Sequence, residues 1–252
     1  MPERDTPWPN GTPCWVDLGT PDPDAAKPFY ASVLGWTYAG GEPGQGDYLM
    51  CLRNGRKAAG MGPQQDPDDP PRWTTYFAAD DVDATAARVT AAGGSVLAPP
   101  MDVGPAGRMA MCADPQDHPF GLWQAGETTG VEVFNEPGSL VWNEAAVADP
   151  DAARQFYGAV FDFSWEEIPG ADGYTTFNSD GPPLGGLSGI SPGLPTGWST
   201  CFSVASCDDA VAAVEAAGGK VLMAAQDTEF GRFAVVADPW GASFSVMSEI
   251  SG

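Results

Sequence analysis

The chain has 252 residues, 43% of them hydrophobic, which is enough to bury a core; 34 acidic residues against 11 basic ones leave a net charge of −23. That balance excludes nucleic acid and anionic membrane surfaces as partners, because both are held by Lys and Arg; it leaves plain solubility or attraction of cationic small molecules. Five cysteines (Cys14, Cys51, Cys112, Cys201, Cys207) without a Cys-x-x-Cys pair read as reduced thiols; with no signal-peptide core and no stretch able to cross a bilayer, a cytoplasmic location is expected.

In chain order, residues 1–12 read as a flexible arm. Residues 13–19 alternate like a strand, and 22–34 have an acidic start and apolar residues at helical spacing, ending at Gly35. Short strands are predicted at 36–39, 47–53 and 57–61, followed by an exposed Pro- and Asp-rich loop over 63–71. The order then restarts: strand 72–79, helix 81–92 closed by Gly93-Gly94, and strands at 95–98, 108–113 and 119–124. After a linker over 127–137 the pattern returns from Ser139. It has a helix at 149–161, a strand at 198–204, a helix at 207–217, then strands at 220–222, 232–237 and 242–247.

The return is a true internal repeat. Ala25-Ala26-Lys27-Pro28-Phe29-Tyr30 reappears as Ala152-Ala153-Arg154-Gln155-Phe156-Tyr157, a shift of 156 − 29 = 127 residues. Ala91-Ala92-Gly93-Gly94 reappears as Ala216-Ala217-Gly218-Gly219, a shift of 218 − 93 = 125. So long a period means two copies of one fold unit, and each copy divides again, giving four β-α-β-β-β modules. The halves are assigned to 13–126 and 138–252. Abundant Ala, Gly, Pro and Asp with little Lys points to a GC-rich bacterial source.

Three phrases, twice in the same order, carry a resemblance. They are Asp-x-x-x-Ala-x-x-Phe-Tyr followed by Leu-Gly-Trp (Asp22 to Trp36, more loosely Asp149 to Phe163), the Ala-Gly-Gly strand entry, and Asp-Pro-x-Gly-x-x-Phe. The last is Asp238-Pro239-Trp240-Gly241-Ala242-Ser243-Phe244, varied in the first half as Asp114-Pro115-Gln116-Asp117-His118-Pro119-Phe120. The chain resembles the vicinal oxygen chelate superfamily, which includes glyoxalase I, the bleomycin-resistance proteins and the extradiol dioxygenases. The resemblance implies an α+β fold of two tandem glyoxalase-like half-barrel domains, each enclosing a cleft. In the enzymes of that family a divalent metal sits there on His, Gln or Glu.

Mapped through the resemblance, the first-strand ligand positions fall on Trp15 and Trp142, with Trp73 and Trp198 in the second modules. The last-strand positions fall on Gly121 and Ser245. Indole offers no lone pair and glycine no side chain, so the reading is that the metal centre is lost and no cofactor is expected. Only a carboxylate, Asp17 or Glu144, lies two residues along the same strand face. Alternation adds Thr75 and Trp123 in the first half, and Thr200 and Met247 in the second.

Trp15, Asp17, Trp73, Thr75, Trp123, Trp142, Glu144, Trp198, Thr200 and Met247 are therefore the candidate ligand-binding set. Indoles near a carboxylate suit a planar aromatic ligand, cationic or neutral, such as an antibiotic or polyketide-like metabolite; filling of the space left by the metal is the competing reading. The function expected is metal-independent sequestration or carriage of such a ligand, by a monomer or homodimer. The alternative is a cofactor-independent enzyme of hydroxylase or lyase type. For it, Asp17, Glu144 or the single histidine, His118, supplies the base, and the matched Tyr48 and Tyr174 the donor. Phe29-Tyr30 and Phe156-Tyr157 read as core packing, and Arg108 and Arg232 as an ion pair or an exposed face.

Overall fold

A computed structural model describes residues 3–40, 47–171, 173–179 and 181–249. The first half consists of β1 (Pro13–Thr20), α1 (Pro23–Leu34), β2 (Thr37–Gly40), β3 (Leu49–Arg53) and β4 (Arg56–Pro63), then β5 (Arg72–Ala78), α2 (Val82–Ala91), β6 (Ser95–Asp102), β7 (Gly107–Ala113) and β8 (Pro119–Ala125). The second half consists of β9 (Leu140–Val147), α3 (Pro150–Phe161), β10 (Ser164–Glu167), β11 (Thr175–Asn178) and β12 (Gly185–Gly189), then β13 (Gly197–Ser203), α4 (Cys207–Ala216), β14 (Lys220–Thr228), β15 (Gly231–Ala237) and β16 (Ser243–Ser248). Four β-α-β-β-β modules result, as the repeat implies. Strands β6 and β14 run several residues further than the sequence suggests, bulging as they pair with β7 and β15.

The repeated helix phrase has a local cause. Asp22 and Asp149 cap the first turns of α1 and α3 by accepting from Ala25 N and Ala152 N at 3.0 Å, with Pro23 and Pro150 in the first turn, where a missing N–H costs nothing. Asp81 and Ser206 cap α2 and α4 in the same way. In the repeated Gly-Gly, Gly93 and Gly218 take φ of +94° and +86°, the left-handed exit from α2 and α4. Their followers answer to space instead: a Cβ on Gly219 would stand 2.6 Å from the Ala237 carbonyl and 3.0 Å from the Phe29 ring. Gly219→Ala is therefore expected to destabilise the protein by about 1–3 kcal/mol in urea unfolding. An unchanged midpoint would mean that β15 gives way freely.

Each half is one mixed eight-stranded sheet, in the orders β2-β3-β4-β1-β5-β8-β7-β6 and β10-β11-β12-β9-β13-β16-β15-β14. Central strands β1 and β5 are antiparallel, as are β9 and β13, and each is flanked by a parallel neighbour from its own module. One sheet face forms the cleft and the other is buried against helices.

The cores cross between halves. One joins the first module to the fourth, with Phe29, Tyr30 and Trp36, and Trp73 from β5 beside them, against Phe202 and Phe244. The other joins the second module to the third, with Phe77 and Phe120 against Tyr157, Phe161 and Phe177. Helix α1 correspondingly packs on α4, and α2 on α3. Phe77, Phe120, Phe161, Phe177, Phe202 and Phe244 are fully buried, each worth roughly 2–3 kcal/mol. That outweighs the few hydrogen bonds between halves, at about 1 kcal/mol each, whose role is to fix register.

Two matched polar chains supply that register. Trp73 Nε1 donates to Tyr30 Oη (3.2 Å), which donates to Asp238 Oδ2 (3.0 Å). Trp198 Nε1 donates to Tyr157 Oη (2.8 Å), which donates to Asp114 Oδ2 (3.0 Å). The tyrosine of the repeated Phe-Tyr and the aspartate of the repeated Asp-Pro are thus partners across the halves. Between the two chains, Thr75 Oγ1 donates to Asn143 Oδ1 (2.9 Å), with Thr200 Oγ1 on the same oxygen at 3.5 Å.

Residues 3–12, read from sequence as a flexible arm, lie pinned to the first half. Gly11 N and Ala78 N make a reciprocal pair with Ala78 O and Thr12 O at 2.8 Å, and Trp8 Nε1 donates to Val131 O at 3.1 Å. Arg56 pairs with Asp5. The segment between halves is packed as well, with Val131 and Val133 buried and Glu132 paired to Lys57 at 3.2 Å. All five cysteines are buried and free, and among the described residues no helix is long and apolar enough to cross a membrane.

Candidate functional site

The two clefts are built alike and finished differently. In the first half, β1 carries Trp15 and Asp17 on the cleft face. Trp15 Nε1 donates to Tyr48 Oη (3.0 Å), and both Tyr48 Oη and Tyr76 Oη donate to Asp17 Oδ2 (3.1 Å each). Burial pushes the Asp17 carboxyl up to about 6, against the two phenols that favour its charge. Glycine makes this arrangement possible. A Cβ on Gly60 would stand 1.8 Å from Tyr48 Oη, and one on Gly121 1.9 Å from the Tyr76 ring. Tyr76 lies flat across Gly121 and closes the cleft.

In the second half, Trp142 Nε1 donates to Tyr174 Oη (2.8 Å), which donates to Glu144 Oε2 (2.9 Å), over a matched Gly186. Burial raises the Glu144 carboxyl above its ordinary value, with the Tyr174 bond opposing. Tyr174 is raised by burial and then by Glu144, so it stays a donor. The place of Tyr76 is taken by Cys201, and that of Gly121 by Ser245. What opens is a cavity of about 190 Å³ lined by Glu144, Tyr174, Ser199, Phe233, Val235 and Ser245, with the 188–195 segment at its rim.

Other expected residues fall elsewhere. Trp73 and Trp198 do not face the clefts: Trp73 packs on Tyr30, Trp36 and Phe202, and Trp198 on Phe77, Tyr157 and Phe177. Thr75 and Thr200 follow them to Asn143, between the halves. The cause is a one-residue register. The helix caps are Asp81 and Ser206, so the places equivalent to Trp15 (22 − 15 = 7) and Trp142 (149 − 142 = 7) are Thr74 (81 − 74 = 7) and Ser199 (206 − 199 = 7). On a strand such a slip reverses the face.

Trp15 is buried beneath Tyr48, and Trp142 stands behind Tyr174, so neither forms an indole wall for a ligand. Trp123 donates to Thr128 O (2.9 Å) and lines a separate 160 Å³ cavity with Pro7, Trp8 and Cys14, under the pinned N-terminal segment. Met247 lies two residues beyond Ser245 on the same strand face, outside the cavity lining. His118 is not in a cleft. Its Nδ1 lies 3.1 Å from Asp114 Oδ2, and its ring abuts Gly197 of the other half. Arg108 bridges Asp102 and Asp83 (2.6 and 2.9 Å), and Arg232 bridges Asp227 and Asp208 (2.8 Å each), at the sheet edges.

These donors do not fit the divalent metal of the resembled enzymes. The cleft faces offer Trp15, Thr74 and Gly121 in one half and Trp142, Ser199 and Ser245 in the other, with one carboxylate apiece. No group of three or more His, Cys, Asp or Glu comes together among the described residues. An indole N–H has no lone pair to give, and a lone carboxylate with neutral hydroxyls is a poor set for a transition metal. Sequence reasoning missed Tyr76 as the plug. The signal was available in the pairs Tyr76/Cys201 (201 − 76 = 125) and Gly121/Ser245 (245 − 121 = 124), which break the symmetry of the halves.

Residues 14–122 match the model of the Glyoxalase/Bleomycin resistance protein/Dioxygenase superfamily, and residues 142–247 that of a Glyoxalase-like domain. The chain is 41% identical to CFP32 of Mycobacterium tuberculosis, which bears the name of a glyoxylase, over 98% of each protein. It is 37% identical to the anthracycline biosynthesis protein DnrV of Streptomyces peucetius, over 94% of this chain and 93% of that one. Among solved structures it resembles the Mn(II)-bound glyoxalase of Novosphingobium aromaticivorans at a TM-score of 0.66 and 19% identity, over 96% of this chain and 84% of that one. With the dibenzofuran-degrading Sphingomonas wittichii 2,2',3-trihydroxybiphenyl 1,2-dioxygenase the TM-score is 0.65 at 18% identity, over 95% and 90%. At such identities the structural likeness speaks to the fold, while the relatives and the two tandem matches place the chain: it belongs to the glyoxalase/bleomycin resistance protein/dioxygenase superfamily.

Proposed function

We propose that the protein binds a small planar aromatic metabolite, without a metal, in the cleft of its second half. The observation that carries this reading is the 190 Å³ cavity facing Glu144 and Tyr174, set against the Tyr76-plugged cleft of the first half. A cavity of about 150 Å³ holds a benzene ring, so this one takes a single substituted ring, and its open rim leaves room for the rest of a larger molecule. Phe233, Val235 and Leu194 supply apolar contact, while Glu144, Tyr174, Ser199 and Ser245 orient polar substituents. With no Lys or Arg among the described lining residues, anionic ligands are disfavoured and amines or neutral rings preferred. The Streptomyces relatives, which are named as anthracycline biosynthesis proteins, support the reading.

The test is titration of a panel of aromatic metabolites, cationic, neutral and anionic, against the protein's tryptophan fluorescence. Saturable quenching by cationic or neutral members is expected, and Glu144→Gln should weaken cationic ligands about tenfold or more. A panel without saturable binding refutes the reading.

The buried carboxyl of Glu144 favours one further reading, proton transfer of a lyase type with Glu144 as base and Tyr174 as donor, since displaced acidities cluster where such chemistry occurs. Turnover that survives metal chelation and disappears in Glu144→Gln would separate catalysis from binding.

A further inference from the structure

We infer that the ligand of the second cleft is a phenol, whose hydroxyl donates to Glu144 while its ring lies over Ser245 beside Cys201. The inference rests on the binding reading above and names the chemical class it leaves open. The protein carries its own template for the complex.

In the first half the acid of the cleft, Asp17, accepts from two phenols at 3.1 Å: Tyr48, from β3's end of the sheet, and Tyr76, from β5. The second half keeps the first donor, as Tyr174 on Glu144, and lacks the second. The strand pairing places the vacancy. Tyr76 sits opposite Trp15 and beside Gly121, with Met111 next across the ladder. Cys201 sits opposite Trp142 and beside Ser245, with Val235 next. Ser245, Val235 and Glu144 all line the 190 Å³ cavity. Glu144 can therefore accept a second O–H donor at the place where the first half supplies its own.

The ring has a matching seat. Tyr76 needs Gly121 beneath it because any Cβ there would collide with it. Ser245 fills that floor with a short side chain, which holds a covalent plug off but allows a free ring to sit higher. The lining is also chemically matched, with apolar side walls at Phe233 and Val235 and acceptors converging at Glu144. A carboxylate removed from water binds an O–H donor more tightly than it binds a bare hydrocarbon, which leaves it unpaired.

The probe is p-cresol, the tyrosine side chain as a free molecule, with toluene and 4-methylbenzylamine as comparators, titrated by calorimetry and by protein-observed NMR. Expected is saturable p-cresol binding with shifts at β13 and β16, and toluene weaker by about tenfold or more. Cys201→Tyr combined with Ser245→Gly should abolish p-cresol binding while leaving the far-ultraviolet circular dichroism intact. The converse pair, Tyr76→Cys with Gly121→Ser, should raise the stoichiometry from roughly one to roughly two. Toluene or 4-methylbenzylamine binding as tightly as p-cresol at this cleft overturns the phenol assignment and leaves the binding reading standing. So does a p-cresol blank alongside other aromatic ligands that do bind. Failure of the whole aromatic panel brings down both. If a doubly substituted chain does not fold, the comparison of the three probes on the native protein decides.

Discussion

Replacing Asp238 with alanine is expected to lower the unfolding free energy by about 3–5 kcal/mol, a loss large enough to threaten the folded state. The side chain is buried and satisfies four donors: Tyr30 Oη on one oxygen, and the backbone amides of Trp240, Gly241 and Ala242 on the other, at 2.8 to 3.0 Å. Truncation strands the Tyr30 hydroxyl and the Ala242 amide away from water and takes the acceptor from the part-buried amides of Trp240 and Gly241. Tyr30→Phe removes two bonds, the one donated to Asp238 and the one accepted from Trp73, and should cost about 1–3 kcal/mol. The matched Asp114 differs in one respect. Burial raises both carboxyls, but the His118 ring and backbone amides outweigh it at Asp114, which ends below the ordinary value, whereas Asp238 stays above. Urea unfolding monitored by tryptophan emission measures these differences. A loss in Asp238→Ala no larger than in Tyr30→Phe would show that the turn amides find other partners.

Asp17→Asn is expected to act in the opposite direction, stabilising the protein above pH 6 by up to about 3 kcal/mol. The folded carboxyl holds its proton to about pH 6, against an ordinary value of 3.8, because burial penalises the charge. Between those values the folded chain binds more protons than the unfolded one, so this group's contribution to stability falls as pH rises through the window and stays low above it. The displacement of about two units sets the ceiling, at 1.36 kcal/mol per unit. Asparagine has nearly the same shape, and its amide oxygen can accept from both Tyr48 and Tyr76. Wild type and variant should therefore be similar in urea at pH 4 and diverge by pH 8. Equal stability at pH 8 would mean that the phenols compensate the charge in full.

The fold was legible because its punctuation is local. Capping aspartates before Pro23 and Pro150, the Gly-Gly exits of α2 and α4, and the repeat itself each have short-range causes. Asp17 and Glu144 share the faces of Trp15 and Trp142, and each accepts from the tyrosine, Tyr48 or Tyr174, that the repeat matches between the halves. What failed was a count of one. Asp81 and Ser206 cap α2 and α4, and the seventh residue back from each is Thr74 or Ser199, not Trp73 or Trp198. On a strand a slip of one decides between cleft and core, and it sent Trp73 and Trp198 to the wrong face. The crossing of the cores was not legible at all, since nothing in a sequence states which module a given apolar face meets. Phe29 and Phe156 read as core residues, but not as residues of the opposite half's core.

The plug in the first cleft has a consequence for how such a chain can change. In a symmetric pair of identical subunits, one residue exchange alters both sites together, so blocking a site means losing the function outright. Here Tyr76 and Cys201 are separate codons, and the aromatic contacts that join the halves lie on the sheet faces turned away from the clefts. One cleft can therefore be retired to a purely structural role while its twin keeps a ligand. Joining the copies into a single polypeptide is what makes that division of labour heritable.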